Sequence, residues 1–169
     1  MGDTVGSISA QWREKRPDLD VSTMEVIGRV LRMAALMGQV VEETLAETGL
    51  TRPEFEVLSA LRRADRGLRP SQLTRETLSS GAATTKRLAR LERAGLLTRT
   101  ASTRDRREID VRLTDAGRGL VDRLLPERLR VEAAALTPLS AAERDQLATL
   151  LARVLSPMEG PDRLSASRP

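Results

Sequence analysis

Residues 81–117 leave few folds open. A helical pattern with Leu88 and Leu91 on one side is closed by Gly95. Two short strand candidates follow, 96–100 and 109–113, separated by a segment containing Arg104, Asp105, Arg106 and Arg107. Upstream, Pro70 opens a short helix, and Ser79, Ser80 and Gly81 form a turn before the helix expected over 82–94. A helix–turn–helix followed by a two-stranded hairpin is a winged helix. The expected fold class is therefore mainly α with a small β-hairpin.

The flanking sequence agrees with a helical frame. Residues 5–16 form a short helix carrying Trp12, broken by Pro17. Ser22 and Glu25 have capping-box spacing, and Ile27, Val30, Leu31, Ala34, Met37, Val41 and Leu45 recur at helical period up to Gly49. Thr51 caps the next helix, with Pro53 and Glu54 in its first turn and Phe55, Leu58 and Leu61 as its apolar stripe. Gly67 and Leu68 form a short extended piece, and the helix opened by Pro70 holds Leu73 and Leu78. Thr114 caps a long helix containing Pro126. Ser140 and Glu143 form a second capping box, ahead of Leu147, Leu150, Leu151, Val154 and Met158.

Composition narrows the function. Hydrophobic residues make up 40% of the 169 residues, enough for a core, but aromatics only 1%, Trp12 and Phe55. Such a core is packed with Leu, Val, Ala and Met, which suits helices. Cysteine and histidine are both absent. That removes disulfides, thiolate and imidazole metal ligands, the Cys nucleophile and the commonest general base. No enzyme activity, metal or cofactor is expected. No signal peptide or membrane span is expected either, and a cytoplasmic location follows.

Charge is unevenly placed. From Gly81 to Arg107, eight Lys and Arg residues stand against two acids, a net +6, while the remainder of the chain carries −2. This fits a polyanion footprint; a solvated Arg-rich face is the competing reading. On a wheel of about 100° per residue, Leu88, Leu91, Thr84 and Glu92 fall inward. Ala82, Ala83, Lys86, Arg90 and Arg93 fall outward, and Arg87 sits on the flank. Small residues at the N-terminal end admit close approach to base edges, and cations further along reach phosphates or guanine. The expected DNA-binding residues are Ser80, Ala82, Ala83, Thr85, Lys86, Arg90, Arg104, Arg106 and Arg107. The hairpin arginines enter a minor groove, and Asp105 braces the wing by orienting a neighbouring Arg. A winged-helix docking module for another protein is the alternative, although such a module has no need of an Arg-tipped hairpin.

The run "LSSGAATTKRLARLERAGLLTRTASTRDRREIDVRLTDAG" resembles the DNA-binding core of the MarR family of transcriptional regulators. The likeness covers roughly residues 20–158. It implies a homodimer, with long N- and C-terminal dimerisation helices setting two winged helices on one inverted repeat of double-stranded DNA. The implied divisions are 5–20 (extra helix and linker), 21–50 (dimerisation helix), 51–113 (winged helix), 114–158 (C-terminal dimerisation helices) and 159–169 (flexible tail).

"QWREKRPDLD" followed by "MEVIGRVLRMA" is similar to the urate-responsive subgroup of that family, the PecS and HucR types. That resemblance implies a ligand site of Trp12, Glu56, Arg87 and Arg99. An indole stacks on a planar monoanion and two guanidiniums pair with its charge. Trp12 packing only against the first long helix stays open as an alternative. Position 56 is Glu where the subgroup typically has Asp, which moves the carboxylate by about 1.5 Å. The expected effector is therefore a urate-like or phenolic small molecule.

Overall fold

The computed structural model describes residues 2–64, 66–101 and 109–159. Arg104, Asp105, Arg106 and Arg107 lie outside the described residues, as does the tail from residue 160. The chain divides into two compact units, residues 1–128 and 129–169. The first contains α1 (Thr4–Lys15), α2 (Ser22–Leu45), a 3-10 turn (Ala46–Thr48), α3 (Arg52–Ala64), α4 (Pro70–Glu76) and α5 (Gly81–Arg93). It continues through β1 (Leu97–Ala101), β2 (Ile109–Leu113) and most of α6 (Asp115–Ala135). The end of α6 and α7 (Ala141–Glu159) make up the second. Among the described residues no helix is long and apolar enough to cross a membrane.

The winged helix is built as its sequence dictates. β1 and β2 pair antiparallel, with Leu97 opposite Leu113 and Arg99 opposite Val111. Leu68 adds a two-way bridge to Val111, at 3.0 and 2.9 Å, so the short extended piece becomes a third strand position in the wing. Phe55, Leu58, Leu73, Leu88, Leu91, Leu97 and Val111 are fully buried in one cluster that joins α3, α4, α5 and the hairpin. One aromatic ring suffices because the leucines fill the remaining space.

Two local expectations change. Ser22 does not cap α2 through a capping box: its N–H donates to Asp20 Oδ1 at 2.9 Å. Glu25 is engaged instead by Arg29 of its own helix at 2.5 Å and by Arg13 of α1 at 2.7 Å, the pair that fastens α1 to the N-terminal end of α2. The apolar stripe of α2, read from the sequence as a dimerisation helix, is largely uncovered within the chain. Only Val41 and Leu45 are buried, while Val26, Ile27, Leu31, Met33, Leu36 and Val40 are exposed. Helical periodicity reports that a face is apolar, not what covers it.

Leu78 is the second. It lies beyond α4, with a left-handed φ of 49°, and is 81% exposed. The bonds Ser79 N to Thr74 O and Leu78 N to Arg75 O close α4 in a Schellman pattern. Glycine usually occupies that left-handed position because Cβ is strained there. Leu78→Gly is expected to stabilise the protein by about 0.5–1 kcal/mol, raising Tm by about 2–3 °C. A lower Tm in thermal denaturation would remove the strain argument.

Candidate functional site

Ser80 caps α5, its Oγ accepting the Ala83 N–H at 3.2 Å. Thr84, Leu88 and Leu91 face the core, and the Thr74 hydroxyl lies 3.0 Å from that of Thr84, tying α4 to α5. Ala82, Thr85, Lys86 and Arg93 are exposed and Ala83 is half-buried. Lys86 has no partner among the described residues, and Arg93 bonds only the Ala89 carbonyl of its own helix. The outward face therefore has small residues at its N-terminal end and available positive charge further along.

Arg90 departs from the expectation for that face. Its Nη1 donates to both carboxylate oxygens of Glu54, at 2.8 and 2.9 Å, and its Nη2 donates to the Gly49 carbonyl at 2.7 Å. A buried carboxylate and a backbone carbonyl tie down a guanidinium that stays half exposed, a pairing that a helical wheel does not register. Glu54, 3% exposed, is a buried acid that its place in the first turn of a helix did not announce. The signal was present in the Thr51–Glu54 spacing: Glu54 Oε2 accepts both the N–H and the hydroxyl of Thr51, each at 2.9 Å.

Arg99 on β1 reaches back to Glu92 on α5, with Nε at 2.8 Å and Nη2 also bonded. The guanidinium holds the Glu92 carboxyl below the usual carboxylate range. Glu92, placed inward by the wheel, is half-buried and braces the first wing strand.

A small cavity of about 130 Å³ is lined by Glu56, Ser59, Arg63, Glu76, Thr77 and Arg128. Its volume is that of about four liquid waters, enough for a small planar ring. Glu56 is paired with Arg52 at 2.9 Å, and Arg63 with Glu76. Ser59, 8% exposed, has a hydroxyl with no hydrogen-bond partner. A buried hydroxyl without a partner is uncommon and marks a place where a ligand atom or water completes the bonding. The Thr77 hydroxyl in the cavity wall donates to the Leu73 carbonyl at 2.8 Å and lies 3.1 Å from the hydroxyl of Ser79, whose Oγ accepts from Arg87 Nη1 on α5. The cavity and the recognition helix are thus joined by two side-chain hydrogen bonds. A wider cleft of about 450 Å³ shares Arg63 and Glu76 but carries none of the four expected effector residues.

Of those four, Glu56 lines the cavity and Arg87 does not, although it bonds Ser79 next to the Thr77 wall. Trp12 and Arg99 do not line the cavity. Trp12 sits on α1, fastened beside Glu25 at the start of α2, whereas α3 packs near Val41 and Leu45 at its end. Sixteen residues of helix separate those levels, about 24 Å at 1.5 Å per residue. Within one chain Trp12 stays far from Glu56.

A helix–turn–helix with a bridged hairpin and a basic outer helix face defines a winged-helix regulator. The MarR family model matches residues 48–108. The HTH-type transcriptional regulator PecS of Dickeya dadantii is 38% identical over 152 residues, which cover 89% of this chain and 92% of that protein. BpsR of Bordetella bronchiseptica, whose structure addresses regulation of DNA binding by 6-hydroxynicotinic acid, aligns with a TM-score of 0.68 at 27% identity, covering 82% and 96% of the two chains. AbsC, a MarR family regulator from Streptomyces coelicolor, shares the fold at a TM-score of 0.73 and 23% identity, covering 82% and 95%. The chain belongs to the MarR family of transcriptional regulators.

Proposed function

We propose that this protein is a transcriptional repressor that binds an inverted-repeat operator as a homodimer and is released from it by a small planar anion. The supporting observation is the chain of bonds from the Thr77 wall of the cavity through Ser79 to Arg87 on α5. A ligand that takes Arg87 into the cavity breaks the Ser79 contact and turns the helix that carries Lys86. Ser80, Ala82, Ala83, Thr85 and Lys86 read the major groove. Arg104, Arg106 and Arg107 enter the minor groove, with Asp105 as their brace. The exposed apolar face of α2 is the surface that a second copy covers, consistent with dimerisation. Because Trp12 is about 24 Å from Glu56 along α2 in its own chain, Trp12 of the partner subunit is the one that stacks on the ligand.

The test uses a duplex selected by the protein from a random-sequence pool. Urate, 6-hydroxynicotinate and salicylate are then added in turn while DNA binding is followed by fluorescence anisotropy and Tm by thermal shift. A ligand at a hundredfold its Kd stabilises the folded state by about 2.7 kcal/mol. At least one of the three is expected to raise Tm and release the duplex, and Arg87→Ala is expected to stay bound in its presence. If Arg87→Ala releases DNA as the native protein does, the cavity-to-helix route is wrong. If none of the three raises Tm, the anionic effector is wrong.

A further inference from the structure

Outside the cavity, Glu54 is a densely bonded buried side chain. Its carboxylate is 3% exposed and accepts four hydrogen bonds, two from Thr51 and two from Arg90. Arg90 lies in the last turn of α5. Its third bond is to the carbonyl of Gly49, the residue with φ 67° that terminates the turn after α2. Three points at the α2–α3 junction, 36 to 41 residues away in sequence, therefore fix the C-terminal end of the recognition helix. Arg90 thereby links α5 to the turn that follows α2, a helix whose apolar face is exposed.

We infer that Glu54 and Arg90 are positioning residues: the pair sets the angle of α5 and couples it to the end of α2, and Arg90 does not contact DNA. This inference rests on the DNA-binding reading of α5. A displacement of α2 relative to α3 moves Gly49 and Thr51 together, and Arg90 transmits it to the helix in the groove. The pairing is essential to the device because Glu54 is buried while Arg90 is half exposed, so loss of the guanidinium leaves a buried carboxylate uncompensated.

Two signatures separate positioning from contact. Each phosphate contact adds about 0.9 to the slope of log K against log salt concentration. Loss of a contacting cation lowers that slope; loss of a positioning residue lowers affinity and leaves the slope intact. In addition, removing an acid from a DNA-binding protein strengthens binding on electrostatic grounds alone, so a loss of affinity in Glu54→Gln has the opposite sign to the charge effect.

The experiment measures affinity for the pool-selected duplex across a range of NaCl concentrations, for the native chain and for Glu54→Gln, Arg90→Ala, Arg90→Lys and Lys86→Ala. Glu54→Gln and Arg90→Ala are expected to bind about tenfold more weakly or worse with an unchanged salt slope. Lys86→Ala is expected to lower the slope by about 2 per dimer, one contact in each protomer. Arg90→Lys keeps the charge but loses the fork, and recovers only part of the affinity. The inference is overturned if Glu54→Gln binds as well as the native chain or better, or if Arg90→Ala lowers the slope as Lys86→Ala does. Should circular dichroism find Glu54→Gln unfolded, Arg90→Lys carries the test, and undiminished affinity there overturns the inference. If the native chain enriches no duplex from the pool, the DNA-binding reading falls first and this inference with it. That outcome is distinct from a native chain that binds while the variants behave as contacts.

Discussion

Replacing Gly117 with alanine is expected to cost about 3 kcal/mol or more and to lower Tm by about 10 °C. A Cβ at this position falls 2.0 Å from the Leu96 carbonyl oxygen and 2.9 Å from its carbon. Both are backbone atoms and cannot swing aside. The Leu96 carbonyl accepts the Thr114 N–H at 3.2 Å, and the Thr114 hydroxyl donates to the Gly95 carbonyl at 2.7 Å. Thr114 Oγ also accepts the Gly117 N–H at 3.0 Å. The corner that leads from α5 into β1 and the corner that leads from β2 into α6 are thus locked to each other at one point. Inserting a methyl group there forces the base of the wing open. The control is two residues away: at Gly119 an added Cβ meets only the end of the Arg123 side chain, at 3.7 Å. Gly119→Ala in the same helix is expected to be neutral or stabilising by about 0.5–1 kcal/mol. Thermal unfolding of the two variants side by side checks both, and equal Tm values would remove the interlocking-corner argument.

Affinity for DNA is expected to fall about 10⁴-fold when salt is raised from about 50 to 200 mM, if each protomer places about four cations on phosphates. Lys86 and Arg93 on the outer face of α5 and the hairpin arginines at 104, 106 and 107 offer five candidates for those four contacts, while Arg90 is held by its bonds to Glu54 and Gly49. Two protomers then release about eight counterions, a slope near −7. Arg107→Ala is expected to weaken binding to selected and unselected duplexes alike and to flatten the slope by about 2, because a minor-groove arginine acts chiefly through the phosphate field. Titrations at several ionic strengths decide the matter. A slope shallower than about −3 means that the basic segment is a solvated face and that recognition lies elsewhere.

Most of the DNA-reading half was legible in the sequence. Gly95 with φ 71° ends α5, Ser80 caps it, and β1 and β2 fall within one residue of the strands expected at 96–100 and 109–113. These are local events, decided by cap chemistry, glycine conformation and alternation over a few residues. The inward and outward faces of α5 were equally legible, since a helix of known period has only one geometry. Ser140 and Glu143 form their capping box, with bonds of 2.7 to 3.4 Å, because both partners lie within a single turn. Ser22 and Glu25 have the same spacing and do not, because Arg13 and Arg29 compete for the acid from another helix and from the next turn.

What the sequence by itself determined, then, was the order of elements, the winged-helix class and the side of each helix that carries charge or carbon. What only the tertiary structure decided was which distant groups meet. It set the capture of Arg90 by Glu54 across 36 residues, the unpartnered Ser59 hydroxyl in a cavity beside Glu56, and the chain of bonds from Thr77 to Arg87. Periodicity is a property of neighbours along the chain. The pairing of a buried charge or hydroxyl is settled by whichever group the packing delivers to it, and the cost of leaving such a group unpaired makes that delivery specific.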